Sequence, residues 1–180
     1  MRQTRFLTRM KPIKFKAILT KSPAESGWHY IPVDANIGKK YEKKDGSRRI
    51  VCTINGSESF QCALIPWGEI FTIIVNKTKR DRLDIVEGDE IEVLLEQDNS
   101  KYGLPMPEEL QEVLNQDPEG DRYFHRLTAG KQRSILYFIG NIKDVDKRIH
   151  NALIFIEHLK RNEGKIESKA LQNELKRPII

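Results

Sequence analysis

The apolar residues of this chain change their period at its middle. Up to Gln97 they alternate with polar ones, as Ile91, Val93 and Leu95 do in EIEVLLEQ; beyond Pro105 they recur every three or four residues, as Leu110, Val113 and Leu114 do in PEELQEVLNQ. Alternation gives a strand one buried face, and the longer period gives a helix one buried stripe. The pattern therefore predicts an α+β chain: a strand-rich half, a seam at Glu96–Pro105, and a helical half.

In the first half, Ile13–Thr20 reads as a strand with Phe15, Ala17 and Leu19 on one face. A second strand lies around Trp28–Ile31, and Pro32, which cannot donate to a ladder, should weaken its continuation. Asn36–Glu42 reads as a short helix. Arg49–Ile54 and Glu58–Leu64 flank Asn55-Gly56, a pair that tolerates the positive φ angles of a type I′ turn. A two-residue turn there sets Ile54 opposite Ser57, Cys52 opposite Ser59 and Cys62 opposite Arg49. Ile65–Gly68 reads as a break, Ile70–Val75 as a central strand, Asn76–Leu83 as a polar link with one helical turn, and Glu90–Glu96 as the last strand. Six or seven short strands suggest a small barrel or sandwich.

In the second half, Pro107 is placed to begin a helix Glu108–Gln116, and Asp117-Pro118 to begin another that carries Tyr123, Phe124 and Leu127. Thr128 is positioned to cap Lys131–Asn141. The longest helix runs from about Asp144 to Asn162, with Val145, Ile149, Ala152, Ile156 and Leu159 as its apolar stripe and Gly164 as its stop. Ser168–Lys176 closes the chain as a short helix before Pro178.

Charge changes this picture in two places. The formal net charge is +5, but residues 1–16 alone hold six bases and no acid, so the rest of the chain is nearly neutral. The first nine residues read as an upstream extension or a misassigned start, because MKPIKFKAIL from Met10 makes a natural first strand. Between Glu87 and Asp121 twelve acids face Lys101 alone, whereas residues 122–180 carry 13 bases and 6 acids. Such segregation steers docking or marks solvated faces. No stretch approaches the roughly 20 apolar residues of a membrane span. With two cysteines, Cys52 and Cys62, there is no disulfide framework, and a reduced cytoplasmic protein is expected.

Candidate chemistry is sparse. His29, His125, His150 and His158 have no metal-ligand spacing, and His150 and His158 stand about 12 Å apart along one helix. No phosphate loop or nucleophile elbow occurs, and no cofactor is implied. Three basic clusters are candidate anion contacts: Lys39, Lys40, Lys43, Lys44, Arg48 and Arg49 in a loop; Lys77, Lys79, Arg80 and Arg82 in the polar link; and Lys131, Arg133, Lys143, Lys147 and Arg148 in the helical half. Trp28 and Trp67 are candidates to stack on a base or to line a pocket.

Lys14–Ala17, Gly27-Trp28 with Ile31-Pro32, Val51 with Ile54-Asn55-Gly56, Leu64-Ile65-Pro66 and the closing Glu87–Val93 follow one another in an order that resembles the DUF1905 family. Leu104-Pro105 with Pro107–Leu110, then Phe124, Leu127–Arg133, Ile139, Lys143, Arg148-Ile149 and Ala152, resemble the YdeI/OmpD-associated family, also labelled bacteriocin-protection. The sequence departs from the commoner pattern after Lys143, where Asp144–Arg148 replaces a Thr-Arg-x-x-Arg-like run. The resemblance implies a double-split, AbrB-like β-barrel over residues 12–98, after a basic extension 1–11, then a linker 99–104 and a helical bundle over 105–180.

A linker of about six residues should pack the halves together. The leading expectation is a non-enzymatic bacterial binding protein of the stress or bacteriocin-tolerance type, with a protein partner or an anionic ligand. Alternatives are a nucleic-acid-binding regulator using the barrel, and a small-molecule enzyme with its site between barrel and bundle.

Overall fold

A computed structural model describes residues 10–25 and 27–178, so the expected extension at residues 1–9 lies outside the described residues. The chain divides into two compact units, one ending at Asn99 and the other beginning at Ser100.

Among the described residues the first unit contains eight strands: β1 (Ile13–Ile18), β2 (Thr20–Lys21), β3 (His29–Val33), β4 (Arg49–Ile54), β5 (Glu58–Ala63), β6 (Ile65–Trp67), β7 (Ile70–Ile74) and β8 (Glu90–Gln97). Two short helices join them, α1 (Ala35–Lys40) and α2 (Lys77–Leu83). The strands form two antiparallel sheets, ordered β1-β8-β4-β5 and β2-β3-β7-β6; these pairings do not close one ring of strands. The alternating residues fill one core between the sheets: Ile50, Cys52, Ile54, Ile91, Val93 and Leu95 from the first, Ile31, Val33 and Ile73 from the second.

Three expectations change here. The hairpin forms, with Asn55 at φ 49° and Gly56 at φ 63° and the Ser57 N–H donating to the Ile54 carbonyl at 3.0 Å. Yet Ser57 is left out of the ladder, so Ile54 faces Glu58, Cys52 faces Phe60 and Ile50 faces Cys62. A one-residue slip exchanges the faces of a strand. The observed register puts Phe60 and Cys62 against the core instead of Ser59 and Gln61, and burial decides it. The second change is at Ile65–Trp67, expected as a break, which is an edge strand where Pro66 is tolerated. The third is that β3 continues through Pro32; β2 pairs only with His29 and Tyr30, so Pro32 lies beyond that ladder.

Tyr41, just after α1, is fully buried and donates its hydroxyl to the Leu95 carbonyl at 2.8 Å. Burial pushes this phenol up to about 12. The Asn55 N–H donates to the Glu92 carbonyl at 2.8 Å and its Oδ1 accepts from the Glu92 N–H at 2.9 Å, tying the hairpin tip to β8.

The second unit is helical: α3 (Glu108–Gln116), α4 (Pro118–Arg126), α5 (Ala129–Gly140), α6 (Val145–Arg161) and α7 (Ser168–Glu174). Side-chain caps start three of them. Asp117 Oδ1 accepts from the Gly120 N–H at 2.9 Å, Thr128 Oγ1 from Lys131 at 3.4 Å, and Asp144 Oδ1 from Lys147 at 2.7 Å. Pro107 stands at the cap of α3 rather than at its first helical position. Gly164, at φ 84°, ends α6 by donating its N–H to the Leu159 carbonyl at 2.7 Å. The core is built from Leu110, Leu114, Phe124, Ile135, Leu136, Ile139, Ala152, Phe155, Ile156 and Leu159.

The stripe expected on α6 is rotated. Ala152, Ile156 and Leu159 are buried as expected, joined by Phe155, but Val145 is 51% exposed and Ile149 40%. His158 is wholly buried, with Nδ1 3.0 Å from Glu174 Oε2 and Nε2 accepting the Glu167 N–H at 3.0 Å. It therefore pins the start and the end of α7 to α6.

Two substitutions test these packings. Tyr41→Phe should cost about 1–2 kcal/mol in denaturant unfolding, because the core loses a hydrogen-bond donor to Leu95. Gly120→Ala should cost about 1–3 kcal/mol, because its Cβ would run into the Ile156 side chain where α4 crosses α6.

Candidate binding groove

The second unit carries two concavities along α3. The first lies between α3 and α6. On α3 the inward residues Leu110 and Leu114 are buried, which leaves Glu108 and Glu112 on the outer side. On α6 the buried face is occupied by Ala152, Phe155, Ile156 and Leu159, yet Ile149 and Leu153 also carry apolar side chains, 40% and 48% exposed. They form part of the floor of a cavity of about 460 Å³, walled by Glu108, Glu109, Glu112, Asp117 and Glu157. Among the described residues, five carboxylates and no cation line it.

These acids divide into two kinds. Lys160 bridges Asp117 at 2.8 Å and Glu157 at 3.0 Å, and Arg148 pairs with Glu109 at 2.7 Å. The hydrogen bond from Lys160, with another from the Gly120 N–H, holds the Asp117 carboxyl below the usual carboxylate range. Hydrogen bonds to Asp117 and Glu157 in turn raise the Lys160 ammonium. Among the described residues, Glu108 and Glu112 have no cation beside them; Glu112 accepts only the Gln116 amide, at 2.6 Å.

The second concavity, about 430 Å³, continues past the start of α3 and shares Glu108 and Glu109 with the first. Pro105, Met106, Pro107, Tyr137, Asn141 and Arg148 are among the other residues that line it. The Arg148 guanidinium also donates to the Ile142 carbonyl at 3.4 Å, and its Nε is buried without a partner. Arg148 thus braces the loop before α6 against α3.

Comparison with protein families decides the assignment. Residues 15–95 match the model of a domain of unknown function, DUF1905, and residues 104–162 match the model described as bacteriocin-protection, YdeI or OmpD-associated. The chain carries both domains, in that order. No curated protein matches the sequence. The two concavities belong to the YdeI/OmpD-associated domain, and its Pro105, Pro107, Glu108, Glu109 and Arg148 line them.

The basic candidates are placed differently from one another. In the DUF1905 domain the Lys43 ammonium donates to the Asp98 carbonyl at 2.8 Å, and Arg48 pairs with Glu42 and stacks over Phe71. Lys39, Lys40 and Lys44 are exposed, and Arg49 is half-buried on β4. On α2, Lys77 pairs with Asp81 at 2.8 Å, Lys79 lies 4.8 Å from the Phe60 ring, Arg80 donates to the Val75 carbonyl at 2.8 Å, and Arg82 pairs with Glu58. In the helical domain Lys131, Lys143 and Lys147 are exposed and Arg133 is half-buried, while Arg148 is committed to Glu109. Lys43, Arg48, Lys77, Lys79, Arg80, Arg82 and Arg148 thus already have work within their own domain, whereas Lys131, Lys143 and Lys147 remain at the surface.

Trp28 and Trp67 do meet. With Tyr30 they form a trio in which every pair of rings is 5.1 Å apart, and Trp67, on the edge strand β6, is 40% exposed. The cysteines are free; Cys62 beside Cys52, together with burial, pushes the Cys52 thiol up. Among the described residues no three histidines, cysteines or carboxylates are grouped to hold a metal ion.

Sequence reasoning missed Glu108, Glu112 and Leu153 as site residues, and placed Ile149 in the core. The signal was the run Ala152–Ile156, five consecutive apolar residues, which is wider than one helix face. It also missed a surface array in which the Tyr102 hydroxyl and Lys101 ammonium lie 2.7 and 3.2 Å from His125 Nε2, while Nδ1 faces Asp121 Oδ1 at 3.0 Å. This array lines neither concavity of the domain described above.

A lowered carboxyl pKa contributes stability that is complete above the unfolded value, near 3.8, and is lost as pH falls through the lower folded value. Asp117→Asn keeps a competent helix cap and removes the charge facing Lys160. It should lower the thermal midpoint by a few degrees at pH 7, and the gap from the unsubstituted chain should close on acidification below that range.

Proposed function

We propose that this chain is a non-enzymatic binding protein of the bacterial cytoplasm, acting in stress or bacteriocin tolerance through the groove between α3 and α6. The observation that carries this reading is the wide apolar side of α6: Ile149 and Leu153 stand exposed beside a face of the helix that is already buried. A concave, partly apolar site with a few charged groups is the usual form of a binding site. The bacteriocin-protection description of the second family supports the tolerance setting, and the free cysteines support a reduced compartment. Within the groove the titratable groups are carboxylates, which suit recognition of a cationic partner. No helix among the described residues is long and apolar enough to cross a membrane.

The test uses the full chain expressed in a bacteriocin-sensitive host. Survival on challenge should rise with the unsubstituted chain and return to the empty-vector level with Leu153→Glu, whose fold is checked by circular dichroism. Equal protection by the two chains would remove the groove from the function.

A further inference from the structure

The geometry points to the occupant of this groove: a cationic amphipathic helix of a peptide or partner protein. The inference rests on reading the α3–α6 groove as the binding place and adds the chemistry of what binds there.

Spacing supplies the first argument. Ile149 and Leu153 lie one turn apart on α6, and Val113 and Ile156 join them on the cavity wall. A helix presents its own anchors at the same i, i+4 interval, so two apolar side chains of an incoming helix can meet this floor together. A cavity of about 460 Å³ suits such anchors rather than a whole buried helix.

Charge supplies the second. Acids in the first turn of a helix are ordinary, because they favour the N-terminal dipole, and Glu108 and Glu109 need no other reason. Glu112 and Glu157 lie outside any first turn, yet they stand on the same rim. Lys160 and Arg148 neutralise Asp117, Glu157 and Glu109 only in part, and Glu108 and Glu112 have no cation beside them among the described residues. The rim is therefore anionic around an apolar floor. It repels nucleic acid, an anionic lipid surface and an acidic peptide, and a second copy of α3 and α6 would bring carboxylates against carboxylates. A helix with Lys or Arg flanking a leucine stripe complements both features at once.

The experiment is fluorescence anisotropy of the full chain with a labelled Leu/Lys amphipathic peptide of about 15 residues, long enough to hold a helix when docked, and a Leu/Glu peptide of the same apolar pattern. The Leu/Lys peptide should bind, weaken as salt is raised, and weaken at least about tenfold with Glu108→Lys/Glu112→Lys. The Leu/Glu peptide should bind that double variant better than the unsubstituted chain. Both substitutions lie on exposed positions; Glu108→Lys opposes the α3 dipole and should lower the thermal midpoint slightly, so an unchanged circular-dichroism spectrum verifies the fold. No binding of the Leu/Lys peptide, or equal binding by the double variant, overturns the occupant. If protection in the host still depends on Leu153 after that result, the groove stands and only its ligand class is wrong. If the Leu/Lys peptide binds and Leu153→Glu leaves its affinity unchanged, the groove itself is wrong.

Discussion

A packed helix can bury about half of its circumference against its neighbours, and α6 carries apolar side chains around more than half. Its packing against α3 and α4 is the contact around which the helical domain is built. Ala152, Phe155, Ile156 and Leu159 fill the core, Gly120 lets α4 approach closely enough to meet Ile156, and Lys160 ties α6 to the α3–α4 corner through Asp117. Once that face is committed, Ile149 and Leu153 have nowhere inside to go. Their exposure follows from helix geometry, since residues at 149 and 153 lie on a stripe displaced from 152, 155, 156 and 159.

The same accounting separates what was legible in the sequence from what was not. Period alone places every helix of the second domain within a few residues, and cap residues Asp117, Thr128 and Asp144 mark three of the starts. The face of α6 was not legible, because in a run such as Ala152–Ile156 every rotation of the helix buries something apolar. The choice falls to neighbours that a single helix does not reveal. In the DUF1905 domain the turn Asn55-Gly56 was legible, but its register was not. Turn chemistry permits Ile54 opposite Ser57; the gain from placing Phe60 and Cys62 on the core side overrides it. Strand β6 was hidden by Pro66, whose place on an edge only the partner strand makes clear.

Electrostatics explains why the basic clusters looked more suggestive in the sequence than they are in space. A count of lysines and arginines cannot see that Arg48 faces Glu42, that Arg82 faces Glu58, or that Arg80 and Lys43 are spent on backbone carbonyls. Phosphate recognition needs cations clustered and available on one surface. The acidic segment behaves in the opposite way. Its residues at Glu108 and Glu112 come together on one side of one helix and, among the described residues, have no neighbouring cation.

That asymmetry assigns different roles to the two parts of the groove. Carboxylates at an exposed rim act over several ångströms and are screened by salt, so they govern encounter and the sign of the partner more than the strength of its hold. On the proposed reading Ile149 and Leu153 would contribute only on contact, by losing water, and so would set how long a partner stays. A ligand matching the rim alone would be captured quickly and lost quickly, and one matching the floor alone would seldom arrive. Lys160 and Arg148 sharpen the division. They hold Asp117, Glu157 and Glu109 in fixed pairs, which leaves Glu108 and Glu112 as the carboxylates that supply the field.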